Sequence, residues 1–213
     1  MIGAVTDEQN KVVRRRGPRK DAADNRDRVL AAAAVAVRRE GTAVPMATIA
    51  ADAGVGVGTV YRHYPSRDAL LGALTHRSFR LVLETARRAA ALDGPPIERI
   101  RFFLERTIEH GSDLVLPMHG GPAPGDQATV ALRDEAHRTL GSILEQGRDD
   151  GTIRADVTRA DIVSFGALLA QGLPHVPDWQ PTARRQADIY LTGLLNRTGR
   201  PDHQSWAPGA GAR

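Results

Sequence analysis

Apolar residues in this chain recur three and four positions apart, in blocks cut by glycine and proline, and the two-residue alternation of a strand is nearly absent. That rhythm confines the chain to an all-α fold. A first helix is expected from about Asp24 to Glu40, with Val29, Leu30, Ala33 and Val37 on one face and Gly41 as its stop. Two short helices follow, Met46–Ala53 after Pro45 and Val57–His63, separated by a Gly54-Val55 turn. Pro65 ends the second, and Ser66 is a good N-cap for a long helix, Arg67–Ala91, with Asp68 in its first turn. Asp93-Gly94-Pro95-Pro96 breaks the chain and opens a helix carrying Ile97, Ile100, Leu104, Ile108 and Val115. A Gly/Pro-rich loop, Pro117–Gly125, precedes a helix over Asp126–Asp149, which Gly151 stops. Thr158 and Asp161 have the spacing of a capping box and open a helix ending near Gly172. Pro174, Pro177 and Pro181 exclude helix from the next loop, and the last helix, Thr182–Asn196, carries Ile189, Leu191, Leu194 and Leu195. The punctuation predicts about nine helices and no sheet.

Composition narrows the chemistry. Aromatic residues are only 4%, so Leu, Val, Ile and Ala must build the core. Cysteine is absent, which excludes disulfides, thiolate metal sites and cysteine nucleophiles. The seven histidines lack metal-ligand spacing, and no Gly-x-Ser-x-Gly elbow or phosphate loop occurs. Gly54-Val55-Gly56-Val57-Gly58 lacks the spacing, the preceding strand and the βαβ context of a dinucleotide loop. No catalytic residue, metal or cofactor is expected. Neither a membrane-spanning apolar run nor an export signal is seen, which makes the cytoplasm the expected location.

The net charge of +4 is unevenly placed. Residues 1–70 hold 12 Lys/Arg against 8 Asp/Glu, whereas residues 71–213 hold 17 of each. Lys11, Arg14, Arg15, Arg16, Arg19 and Lys20 cluster in ten residues without an acid. Such a cluster suits a polyanion, or alternatively serves as a solvated tail.

The segment from Met46 to Leu71 carries the most information. Two short helices joined by a glycine turn form the helix-turn-helix plan. Ile49 and Ala50 pack inward, Ala53 lets the second helix cross closely, Gly54 takes the left-handed turn conformation, Val55 plugs the turn and Val60 anchors the second helix. Val57, Gly58, Thr59, Tyr61, Arg62 and His63 are left facing outward or sideways, where a recognition helix meets base edges and phosphates.

The run Thr48-Ile49-Ala50, Ala53-Gly54-Val55, Gly58-Thr59-Val60-Tyr61-Arg62-His63-Tyr64, Arg67 and Leu70-Leu71 resembles the TetR family of bacterial transcriptional regulators. Arg28-Val29-Leu30-Ala31-Ala32-Ala33 is similar to that family's first helix, and the resemblance is specific over about residues 24–74. Polar, basic composition interrupted by Gly17-Pro18 makes residues 1–22 a disordered basic arm, and Gly/Pro-rich composition makes 198–213 a flexible tail; between them the resemblance implies a helix-turn-helix head (23–66) and a helical ligand-binding and dimerisation domain (67–197). It implies phosphate contacts from Thr48, Tyr61, His63 and Arg67, and base or backbone approach by Val57, Gly58 and Thr59. Thr48 and Ser66 also have the character of N-caps, Tyr64 is read as a core aromatic, and His63 also fits a surface histidine without a role.

The chain departs from the family where Gly56 replaces a frequent serine and Val57 a polar residue. Gly56 offers no side chain, and Val57 can touch a thymine methyl but cannot hydrogen-bond. Arg62 and the arm residues Arg15, Arg16, Arg19 and Lys20 are therefore added to the expected DNA contacts.

For the remainder, the resemblance implies a homodimer on a double-stranded DNA operator, released by a small-molecule effector. Ile162, Phe165, Gly166, Leu169, Ile189, Tyr190 and Leu194 are the expected interface, a four-helix bundle. Phe79, Leu83, Phe102, Phe103, Arg106, His110, Met118 and Leu140 are the pocket candidates, with Arg106 and His110 placed to meet an acid; periodicity alone does not separate a pocket wall from a filled core. Two other readings stay open: a DNA-binding regulator without a small ligand, and an all-helical enzyme.

Overall fold

The computed structural model describes residues 18–172, 176 and 178–196. Among them are eight α-helices, two short 3₁₀ turns and a single isolated bridge between Ile153 and Leu195. The expected Arg15 and Arg16, the side chains of Arg19 and Lys20, and the tail from 198 lie outside the described residues. Among the described residues no helix is long and apolar enough to cross a membrane.

The chain divides into two compact units, Met1–Leu70 and Leu71–Arg213. The first holds α1 (Pro18–Glu40), α2 (Met46–Asp52), α3 (Val57–His63) and the start of α4 (Arg67–Ala90). Helix α1 begins six residues before the expected Asp24, at Pro18. Pro18 does not prevent the helix from starting there, because proline is tolerated in a first turn, where its missing N–H would have no partner. The Ala-rich middle of α1 buries Val29, Leu30, Ala33 and Val37, and Gly41, at φ 82°, closes the helix by donating its N–H to Val37 O at 2.8 Å.

The second unit is built around α5 (Pro96–Glu109), which packs against α6 (Gln127–Asp149), α7 (Arg159–Ala170) and α8 (Trp179–Leu194). Its core joins Ile100, Leu104, Leu140, Ile143, Ile162 and Leu191. Two boundaries differ from the sequence expectation. Helix α5 stops at Glu109 and does not reach Val115. The reason is Gly111, where an added Cβ would lie 2.4 Å from Ala170 O, so the chain turns there against the end of α7. Val115 is buried in a non-helical segment, and its N–H donates to Ser78 Oγ at 2.8 Å. At the other end, α8 starts at Trp179 and runs through Pro181, a first-turn position that needs no N–H partner. The capping box of α7 forms as expected: Thr158 and Asp161 each bond the other's backbone N–H.

Candidate nucleic-acid interface and cavity

Helices α2 and α3 are positioned by a short set of backbone bonds. After α2, Gly54 sits at φ 64°, its N–H donates to Ala51 O at 3.0 Å, and Val55 N–H donates to Ala50 O at 3.0 Å. This paired arrangement is the Schellman ending, and it requires the left-handed residue at Gly54. Ile49, Ala50, Ala53, Val60 and Tyr64 are buried together in the head. The Tyr64 hydroxyl accepts a hydrogen bond from Arg26 Nε at 3.4 Å, which ties the end of α3 to α1.

Burying Val60 fixes what α3 presents on its other side. Val60 is 0% exposed, while its neighbour Tyr61 is 48% exposed and Val57 41%. Gly58 and Arg62 are exposed too, and Thr59 and His63 are half-buried. Neither helix has a side-chain cap: Pro45 precedes α2 and Gly56 precedes α3. The N-cap expected of Thr48 is therefore not formed. Thr48 stands half-buried at the third position of α2, with its N–H donating to Pro45 O at 3.1 Å. Ser66 is a cap, accepting from Ala69 N–H at 3.1 Å at the start of α4. Arg67 is exposed in that first turn. Among the described residues neither Arg62 nor Arg67 is paired with an acid, so both cations remain available to an outside anion.

The second unit holds a partly open cavity of about 190 Å³. Phe79 and Val82 of α4, Phe103 and Thr107 of α5, and Val163 and Ala167 of α7 form its walls together with Arg133, Ala136 and His137 of α6. Leu116, Pro117 and Met118, around the second 3₁₀ turn (Pro117–His119), complete them. Of the expected pocket residues, Phe79, Phe103 and Met118 are in the wall. The other five are not. Leu83 and Leu140 are packed in the interior, and His110 caps the end of α5. Phe102 lies between the guanidinium groups of Arg88 and Arg106, each 5.5 Å from its ring centre. Arg106 is paired with Glu109 at 2.6 Å. The residues missed include Arg133 and His137, whose signal was their register: they fall in the same α6 stripe as Ala136, Leu140 and Ile143.

The residues expected at a dimer interface also separate. Ile162, Gly166, Leu169 and Leu194 are buried within this chain's own core. Helix α7 is apolar nearly all round, so spacing alone does not choose its outward face. Ile189 is exposed, as is Leu168 beside the expected stripe, at 57% and 58%. Phe165 and Tyr190 stack on each other at 3.9 Å, half-buried. Burial, and then the charge of Asp161, push the Tyr190 phenol up to about 12.

Residues 29–74 match the model of the bacterial regulatory proteins of the tetR family. Over 176 residues the chain is 33% identical to the HTH-type transcriptional repressor LfrR of Mycolicibacterium smegmatis, covering 79% of this chain and 88% of LfrR. The chain belongs to the TetR family. It is also 30% identical to the HTH-type transcriptional repressor KstR of the same species, over 60% of this chain; the match spans 65% of KstR's length. Among solved structures, a TetR transcription regulatory protein from Mycobacterium vanbaalenii is 30% identical, with a TM-score of 0.55 over 84% of this chain and 99% of that one. This TetR-family protein is accordingly a helix-turn-helix transcriptional regulator and not an enzyme.

Proposed function

We propose that this regulator is a homodimeric repressor that binds a palindromic operator and leaves it when a small molecule occupies the cavity of its second unit. The observation that carries the reading is the split of α3 into a buried anchor, Val60, and an exposed Val57, Gly58, Tyr61 and Arg62. That face suits insertion in a major groove. Thr48, Tyr61, His63 and Arg67 meet phosphates, and Gly56, Val57, Gly58 and Thr59 approach the bases. The arm residues Arg15, Arg16, Arg19 and Lys20 add charge-driven affinity. Repression is the sense in which its two relatives named above are described, and the cytoplasm is the compartment this reading expects.

A single helix-turn-helix reads one half-site, so an interface is required. The exposed Leu168 and Ile189, beside the Phe165–Tyr190 stack, supply an apolar face for it. Ligand control rests on the cavity. Its wall residues Phe79 and Val82 belong to the same continuous helix as Arg67, so an occupant that displaces α4 changes the presentation of the head. Selection of bound DNA from a random pool at stated salt tests the reading. An inverted repeat is expected; absence of any enriched sequence would contradict it.

A further inference from the structure

Three residues with polar side chains, Thr107, Arg133 and His137, border the cavity, yet the surface turned to the empty space is almost wholly carbon. Their polar ends are engaged or directed elsewhere. The Thr107 hydroxyl donates to Phe103 O at 2.8 Å within α5. The Arg133 guanidinium is held by Asp134, through Nε at 2.9 Å and Nη2 at 2.8 Å, in a partly exposed pair, which leaves its aliphatic stem to line the cavity. Burial, followed by the charges of Arg159 and Arg133, pushes the His137 imidazole below its ordinary range against the pull of Asp134, so it stays neutral. Among the described residues no acidic side chain stands in the wall. A charged or hydrogen-bonding group placed in this space would leave water and meet no partner.

Phe79, Phe103, Met118 and Val163 supply apolar contact from three sides. Pro117 and Met118 are the exposed members of the wall, which puts its opening at the second 3₁₀ turn. That turn is fastened to α7 by His119 Nε2, which donates to Ala167 O at 2.8 Å, so a molecule enters past the flexible Met118 side chain. The volume of about 190 Å³ is somewhat larger than that of an engineered apolar cavity of about 150 Å³ that admits benzene. We propose that the cavity takes an uncharged, predominantly hydrocarbon molecule about the size of one alkyl-substituted ring. This deepens the ligand-controlled reading, on which its role as effector rests.

The test is calorimetric titration of the full chain with isopropylbenzene and its isosteres benzamide, benzoate and α-methylbenzylamine, alongside benzene, toluene and ethylbenzene. Isopropylbenzene is expected to bind at least about tenfold more tightly than each polar isostere, because an unpartnered polar group is penalised on burial. Affinity is expected to rise about fourfold for each carbon added to benzene until the space is full. Ala136→Leu, which adds carbon at a buried wall position, is expected to abolish binding of the larger hydrocarbons at an unchanged or higher melting temperature; the smaller Ala136→Val is expected to lower the size limit. Polar isosteres that bind as tightly as isopropylbenzene would overturn the apolar assignment and leave the ligand-controlled reading standing. Hydrocarbons that bind without releasing the selected DNA would overturn ligand control and leave the chemistry of the site standing. No binding by any hydrocarbon would overturn the inference. A hydrocarbon preference and size limit unchanged in both Ala136 variants would overturn its assignment to this cavity.

Discussion

Gly54 shows how a single backbone angle sets the recognition unit. Its φ of 64° lies where a Cβ is penalised, yet no atom stands within 4 Å of the position a Cβ would take. Gly54→Ala should therefore cost only backbone strain, about 1–2 kcal/mol, read as a lower denaturation midpoint with an unchanged slope. Tyr190 is a second residue-scale case. Its phenol, held up to about 12 by burial, is raised above the ordinary value of about 10. Keeping the proton is thus favoured in the folded state: the contribution is complete below the unfolded value and is lost as pH rises through the folded one. Alkaline absorbance titration should show one phenol ionising near pH 12, and Tyr190→Phe should remove that step.

At the scale of elements, the cap of α7 is the clearest local device. Asp161 is held below its usual range first by the Thr158 hydroxyl and then by the Thr158 backbone N–H. The folded chain then binds fewer protons there than the unfolded one. Its contribution is full above the unfolded value of about 4 and fades as pH falls through the lower folded value. Thr158→Ala should lower stability by about 1 kcal/mol at neutral pH, with a smaller loss in acid, measured by denaturation at several pH values. This cap was legible in the sequence, as were α2, α3 and the burial of Ile49, Ala50, Val60 and Tyr64, because each follows from local spacing and turn chemistry. The end of α5 was not, since Gly111 is fixed by Ala170 O, 59 positions away in the chain. The cavity was half-legible. Phe79, Phe103 and Met118 stood out as large apolar residues, while Arg133 and His137 were hidden because a helix stripe does not say which members meet empty space. The outward face of α7 was not legible for a related reason: α7 is apolar on several faces, and only packing shows that Leu168 points out while Ile162 points in.

For the whole molecule, the account assigns DNA contact to the first unit and ligand and partner contact to the second. Charge follows the same division, with the excess of basic residues confined to residues 1–70. If Leu168 and Ile189 meet a second copy, charge placed there should separate the copies without unfolding them, because both side chains are exposed in the single chain. Ile189→Glu combined with Leu168→Glu is expected to halve the mass seen by sedimentation at an unchanged helix content; an unchanged mass would move the interface elsewhere. DNA contact by α3 is the central claim, and it is tested most directly by anisotropy titration of the selected DNA with the parent, Tyr61→Ala and Arg62→Ala across a salt series. Both side chains are exposed, so neither change should alter melting. The account predicts at least about a tenfold loss of affinity in each and, for Arg62→Ala, a salt slope smaller by about one if the lost contact is to a phosphate. Unchanged affinity and slope in both variants would contradict it.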